Sequence, residues 1–191
     1  MGYFNQIYLL FKELLEQQYL HRQNVKFGST IRGDFGEIYA AKKLEDLGFK
    51  SEEIFSEEPH PEGKNKIDYT IKKHNEEIYI EVKTGQMSWV PKFTERQLRY
   101  SDFFVILYTP DERFDFVYEF VYTKEEMREI LQRGERKGDT KAYYLYFYEN
   151  KDIERYEKRM KKNGIFPTNI EKATILNPDG FNKKWEKILS K

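Results

Sequence analysis

The sequence predicts an α/β (α+β) domain built on a central mixed β-sheet flanked by helices. Three observations predict it. Residues 66–83 alternate apolar and polar side chains on both sides of a polar turn, the pattern of a β-hairpin. Residues 103–108 (Phe103-Phe104-Val105-Ile106-Leu107-Tyr108) are continuously apolar, as a strand covered on both faces must be. Segments with helical spacing lie on the N-terminal side of both, at 3–23 and 34–47.

Taken in order, residues 3–23 form an amphipathic helix, because Phe4, Ile7, Tyr8, Phe11, Leu14 and Leu15 recur at helical spacing. Gly28, Ser29 and Thr30 interrupt it, and a second helix runs from about Asp34 to Leu47, with Gly48 as its stop. Residues 51–65, acidic and carrying Pro59, Pro61 and Gly63, read as a loop. The hairpin follows: a strand at 66–71, a turn at 72–76 and a return strand at 77–83. Residues 86–93 are irregular, Thr94 caps a short helix to about Tyr100, and the buried strand runs to Thr109. A strand at 114–122 leads into a helix to about Arg133, opened by the capping box of Thr123 and Glu126. A strand at 142–148, a basic helix at 152–162 and a loosely patterned tail at 163–191 complete the chain. In the tail, Trp185 with Phe181 and Leu189 reads as a docking face.

The length of 191 residues suits one domain spanning 1–191. Its core is expected at about 32–108, with the N-terminal helix and residues 109–191 as additions. Charged residues make up 35% of the chain, but 15 tyrosines and 15 phenylalanines supply the apolar surface that a disordered chain lacks. The absence of cysteine excludes disulfides, thiolate metal sites and a cysteine nucleophile. His21, His60 and His74 are scattered and read as surface residues, so a histidine metal site is not expected. With no apolar run of membrane length and no N-terminal signal pattern, the expected location is cytoplasmic. The 33 basic and 33 acidic residues cancel, yet they are segregated. Residues 34–63 hold nine acids and three bases, whereas 151–191 hold 11 bases and six acids. Zero net charge therefore does not exclude a nucleic-acid partner.

The hairpin carries the chemistry. Side chains alternate along a strand, so Glu81 and Lys83 share one face while Ile78, Ile80 and Val82 take the other. Asp68 can approach from the neighbouring strand. Two carboxylates on rigid strands suit Mg²⁺, a hard cation that prefers oxygen, with Mn²⁺ as a substitute. Such a metal lowers the pKa of bound water and neutralises charge on a phosphate. An adjacent lysine between carboxylates keeps its charge and positions and stabilises, rather than acting as a base. The chain contains three other Glu-x-Lys triplets, at 62–64, 135–137 and 149–151. Only Glu81 and Lys83 lie inside an alternating strand that follows an acid-bearing strand. A solvent-facing cross-strand charge pair is the plainer reading of the same residues. Gly33 and Gly36 make no phosphate loop, since no Lys-Ser/Thr follows them.

The order of elements around these residues resembles the PD-(D/E)XK nuclease superfamily, over about Arg32 to Tyr108. Arg32-Gly33-Asp34-Phe35-Gly36-Glu37 opens a helix that ends at Leu47-Gly48-Phe49. Lys66-Ile67-Asp68, Ile80-Glu81-Val82-Lys83, a helix containing Gln97 and the apolar strand follow. Ile67 stands where the motif usually has proline. The pattern is most similar to archaeal Holliday-junction resolvases and their restriction-endonuclease relatives. The resemblance implies a restriction-endonuclease-like core and a Mg²⁺-dependent DNA endonuclease, structure-specific in the manner of a resolvase. It implies Asp68, Glu81 and the Val82 carbonyl as metal ligands, Lys83 as the catalytic lysine and Glu37 as a helical acid serving a second metal or its waters. Arg32 and Gln97 would contact nucleic acid. A homodimer is implied, because two DNA strands need two sites related by a twofold axis. Independently, Arg155, Lys158, Arg159 and Lys162 read either as a phosphate-contacting patch or as a solvated helix face. A restriction-type duplex endonuclease, and a non-catalytic nucleic-acid- or protein-binding module on the same fold, are the alternative readings.

Overall fold

The structure, a computed structural model, describes residues 2–20, 29–61, 66–73, 76–86, 92–109, 117–130, 132–136, 142–144, 147–148, 165–167, 174–175 and 184–190. It is an α+β fold around a five-stranded mixed sheet. The strands are β1 (Ile54–Pro59), β2 (Lys66–Lys73), β3 (Glu76–Gln86), β5 (Phe103–Thr109) and β6 (Tyr118–Thr123), adjacent in that order. All neighbours are antiparallel except β3 and β5, which run parallel from Ile80↔Phe103 to Gln86↔Thr109. A parallel pair needs a crossover, and this one carries β4 (Lys92–Thr94) and α3 (Glu95–Tyr100).

Both sheet faces are covered, which explains why β5 is continuously apolar. On one face α2 (Ser29–Asp46) sets Ala40, Ala41 and Leu44 against Ile71, Ile78, Ile80, Val82, Val105 and Leu107. On the other, Leu98 of α3, Phe93 of β4 and Met127 of α4 (Lys124–Ile130) pack on Phe104, Ile106, Phe120 and Tyr122. Each large side chain fully buried here contributes about 1.5–3 kcal/mol. The helix α1 (Tyr3–Leu20) forms an outer layer, with Tyr8, Phe11 and Leu15 against Phe35. Leu14, expected on the packed face, is 51% exposed, because Leu15 takes the place against α2.

Several elements differ from expectation. Helix α2 starts at Ser29 rather than about Asp34. Ile31 and Phe35 pack in the α1 cluster, and this tertiary contact outweighs the weak propensity of Gly33. The 51–65 loop contains strand β1. As an edge strand with one neighbour it needs little apolar surface: only Ile54 is buried, and its acids and Pro59 suit an exposed edge. The hairpin strands are longer than expected, reaching Lys73 and Gln86, and β4 forms in the stretch read as irregular. Strand β6 runs over Tyr118–Thr123; residues 114–116 of the expected strand lie outside the described residues. The Thr123–Glu126 capping box forms as read, with reciprocal bonds of 2.9 and 3.2 Å.

Helix α4 ends at Ile130, and its expected last turn belongs instead to β7 (Gln132–Arg136). The expected 142–148 strand divides into β8 (Ala142–Tyr144) and β9 (Phe147–Tyr148), which join different sheets. With β10 (Ile165–Pro167), strands β7, β8 and β4 form an antiparallel sheet in the order β10-β7-β8-β4. Strand β9 pairs in parallel with β11 (Thr174–Ile175). The C-terminal extension is thus hydrogen-bonded to β4, the strand that leads into α3. The 152–162 helix and residues 149–151 lie outside the described residues. A 3-10 turn at Trp185–Ser190 ends the fold. There Trp185 and Ile188 are buried while Leu189 is exposed; Phe181 lies outside the described residues. Among the described residues no helix is long and apolar enough to cross a membrane.

One close approach positions α2. A Cβ at Gly36 would lie 1.5 Å from Thr84 Oγ1 and 2.7 Å from Thr84 Cβ. Only glycine lets the helix sit this near β3. Gly36→Ala is expected to lower stability by about 1–3 kcal/mol, the usual cost of overpacking. Helix propensity would by itself favour alanine by roughly 0.5–1 kcal/mol. Denaturant unfolding checks the sign: a more stable Gly36→Ala protein would contradict this packing.

Candidate functional site

The site forms where β2 and β3 part. Their pairing is continuous from Lys73↔Glu76 to Tyr69↔Ile80. The next step would set Asp68 opposite Glu81, but the ladder ends there. The Asp68 carboxylate instead accepts the Val82 main-chain N–H at 2.8 Å. On its other side β2 pairs through Ser56↔Tyr69 and Glu58↔Ile67, leaving Glu57 opposite Asp68. Glu57 has φ +54°, the left-handed region that non-glycine residues seldom adopt.

Glu81 is 2% exposed, deep for a carboxylate. Its Oε1 accepts hydrogen bonds from Lys83 Nζ and Gln97 Nε2. The Gln97 amide has a fixed orientation. It is the third residue of α3 and completes the capping box at Thr94: Thr94 N–H donates to its Oε1 at 2.9 Å, and its own N–H donates to Thr94 Oγ1 at 3.2 Å. The amide oxygen therefore holds the helix start and the amide nitrogen is left for Glu81. Gln97, singled out as a nucleic-acid contact, lies against a carboxylate.

Lys83 is the common partner. Its side chain is 23% exposed and ion-paired with Glu81, and its charge also acts on Asp68 and Glu37. Glu37 reaches the group from α2, one residue beyond Gly36. Burial first, then the charges of Asp68, Asp34 and Glu57, push its pKa up to about 7 against the opposing effect of Lys83. Burial likewise raises Asp68, and Glu57 adds to this; Lys83 and the Val82 N–H pull the other way. Glu81 is raised by burial and by Asp68, while Lys83 and Gln97 oppose. The Tyr69 phenol is also pushed up, by burial and then by Glu37 and Asp68. Asp68 and Lys83 thus act electrostatically on both Glu81 and Glu37.

Of the other expected residues, Arg32 lies in the first turns of α2 with its side chain outside the described residues. Arg155, Lys158, Arg159 and Lys162 lie outside them altogether. His60 is not an isolated surface residue: its ring packs 4.4 Å from Tyr79 and 4.5 Å from Tyr100, centroid to centroid. Sequence reasoning missed Glu57, whose partners depend on the unforeseen strand β1. It also missed Glu119, an acid inside an otherwise apolar and aromatic run, which was the one available signal. Glu119 is 4% exposed and accepts from Trp185 Nε1 at 2.6 Å and from the Tyr39 hydroxyl, with Lys43 Nζ at 3.2 Å.

The donor chemistry fits a hard divalent cation: all the acids are oxygen donors, and all three are strained as anions by burial and mutual repulsion. Among the described residues no three His, Asp or Glu side chains already stand in a ligand cluster. Glu81 Oε1 is engaged by Lys83 and Gln97, so a cation would share that oxygen or bind the second oxygen of the carboxylate.

A pH dependence follows. Glu37 titrates near its ordinary value of 4.5 when unfolded and near 7 when folded. Between these values the folded state binds more protons, so stability falls as pH rises. The contribution is fully present below about pH 4.5 and is lost through about pH 7, and the raised Asp68 and Glu81 act in the same direction. The melting temperature is expected to be higher at pH 5.5 than at pH 8. Glu37→Gln should shrink the difference, and Mg²⁺ at pH 8 should restore part of the loss. A melting temperature that rises from pH 5.5 to 8 would contradict the assignment.

Neither protein-family models, nor curated proteins, nor solved structures match this chain. The functional reading therefore rests on the residues themselves.

Proposed function

We propose that this chain is a Mg²⁺-dependent DNA endonuclease of the PD-(D/E)XK type, hydrolysing phosphodiester bonds. The observation that supports the reading is the buried Glu81 ion-paired with Lys83, beside Asp68 on the Val82 N–H, at the point where two strands separate. Asp68, Glu81 and the Val82 carbonyl would hold a first cation, and Glu37 a second ion or its waters, with Mn²⁺ as a substitute for Mg²⁺. The metal, when bound, would supply an activated water and neutralise charge on the phosphate. Gln97 and the Thr94 cap hold the Glu81 carboxylate in place. The Val82 N–H holds Asp68, so neither acid has to be ordered at the moment of reaction. Lys83, beside Glu81, would position the attacking water and stabilise the negative charge that builds on the phosphate.

A homodimer would present two such sites to two strands. Backbone contacts would come from Arg32 and from Arg155, Lys158, Arg159 and Lys162, releasing counterions. A panel of labelled substrates tests the reading: four-way junction, linear duplex and single strand, each with Mg²⁺ and with EDTA. Preference for the junction supports a resolvase, and preference for duplex supports a restriction-type enzyme. No Mg²⁺-dependent cleavage of any of the three would favour the non-catalytic binding module.

A further inference from the structure

We infer that His60, Tyr79 and Tyr100, with Arg99, form a stacking platform for an unpaired nucleobase beside the carboxylate site. The inference rests on the nuclease reading for its context, but its observations are separate. The His60 ring, just beyond β1, packs against the rings of both Tyr79 and Tyr100, at centroid distances of 4.4 and 4.5 Å with interplanar angles of 55° and 33°. The Arg99 guanidinium lies over the Tyr100 ring at 5.5 Å. All three residues are half-buried and Arg99 is exposed, so the group is accessible in part from solvent.

The placement ties the rings to the chemistry. Tyr79 lies two residues before Glu81 on the same face of β3, about 6.5 Å along the strand. Tyr100 lies one turn after Gln97 on α3, and Gln97 holds Glu81. A strand whose phosphate entered the carboxylate group could therefore rest a neighbouring base on these rings. Aromatic faces and guanidinium planes are the surfaces on which unstacked bases are held, and they tolerate any base because every base has a π-face. Arg96 and Arg99, two cations on the same short helix, can meet the flanking phosphates. Duplex DNA keeps its bases stacked inside, so the platform would favour single-stranded, frayed or branch-point DNA.

The test is binding in EDTA, where no cleavage occurs, using a short single-stranded oligodeoxynucleotide carrying 2-aminopurine, and an abasic strand of equal length. The full-length protein is expected to quench the fluorophore. Tyr100→Ala and His60→Ala are expected to bind about tenfold more weakly and to lose the quenching, and Tyr100→Phe to keep both. The abasic strand should bind the native protein no better than the 2-aminopurine strand binds the alanine variants. Tyr100→Leu, which keeps the packing volume and removes the aromatic face, carries the test should the alanine variant not fold. Native-like quenching and affinity in folded Tyr100→Leu and His60→Ala proteins would overturn the platform, whatever the cleavage result. Loss of quenching in these variants supports it even if no substrate is cut, an outcome that would sink the nuclease reading alone.

Discussion

Lys83→Met is expected to reduce Mg²⁺-dependent cleavage by about a thousandfold while leaving metal binding intact or tighter. Methionine keeps the length and apolar stem of lysine and deletes its charge. What is lost is the positioned cation that meets developing negative charge, and removing one such preorganised group typically costs 10²–10³ in rate. Metal affinity should move the other way, because the Lys83 charge, paired with Glu81 and acting on Asp68 and Glu37, would repel a cation bound beside it. Without metal, the same variant should be less stable at pH 8 than the native protein, since breaking a buried ion pair leaves charge uncompensated. Single-turnover cleavage and a Mg²⁺ titration separate the two effects. Equal losses of rate and of metal affinity would mean that Lys83 merely supports the fold.

The second large effect lies in the core under the sheet, where Trp185 shares a cluster with Ile78, Ile80 and Val82 of β3. Trp185→Ala is expected to cost about 3–5 kcal/mol, the range for deleting a large buried aromatic. Trp185 is 5% exposed, and its indole N–H is donated to Glu119 Oε2 at 2.6 Å. The alanine variant would leave a cavity and an under-satisfied buried carboxylate, and the latter alone costs about 1–3 kcal/mol. For a chain of this size the melting temperature should fall by roughly 2–4 °C per kcal/mol. Trp185→Phe separates the two terms, because it fills most of the cavity but offers no donor. Lys187, which bonds Glu126 at 2.6 Å and the Val121 carbonyl at 3.2 Å, fastens the same turn to β6 and α4. A loss below about 1 kcal/mol in Trp185→Ala would show that this terminal turn is not part of the folded unit.

That Glu81 and Lys83 share a face was legible in the sequence because strand alternation is a local signal: two residues apart on a strand means one face. The buried strand β5 was legible for the same reason, as six consecutive apolar residues admit few other placements. Glu37 was reachable only by resemblance, since nothing in its own segment says that α2 crosses β3 at Gly36 and Thr84. Strand β1 was illegible because an edge strand with one buried side chain carries almost no hydrophobic pattern. The short strands of the extension, two to five residues each, lie below the length at which periodicity can be read. Long-range pairings were illegible in a stronger sense. Glu119 and Trp185 are 66 residues apart, and His60 meets Tyr100 across the intervening strands β2, β3 and β4. An acid embedded among aromatic and β-branched residues, as Glu119 is, signals that a partner exists without saying which.

The most direct test of the central claim is cleavage of end-labelled DNA by the native protein and by Glu81→Gln, each with Mg²⁺ and with EDTA. Glutamine preserves the size of the Glu81 side chain and its acceptor for Gln97, so the fold should be kept. The account predicts Mg²⁺-dependent strand cleavage by the native protein, none in EDTA, and loss of nearly all of it in Glu81→Gln. Full Mg²⁺-dependent activity in Glu81→Gln would contradict it.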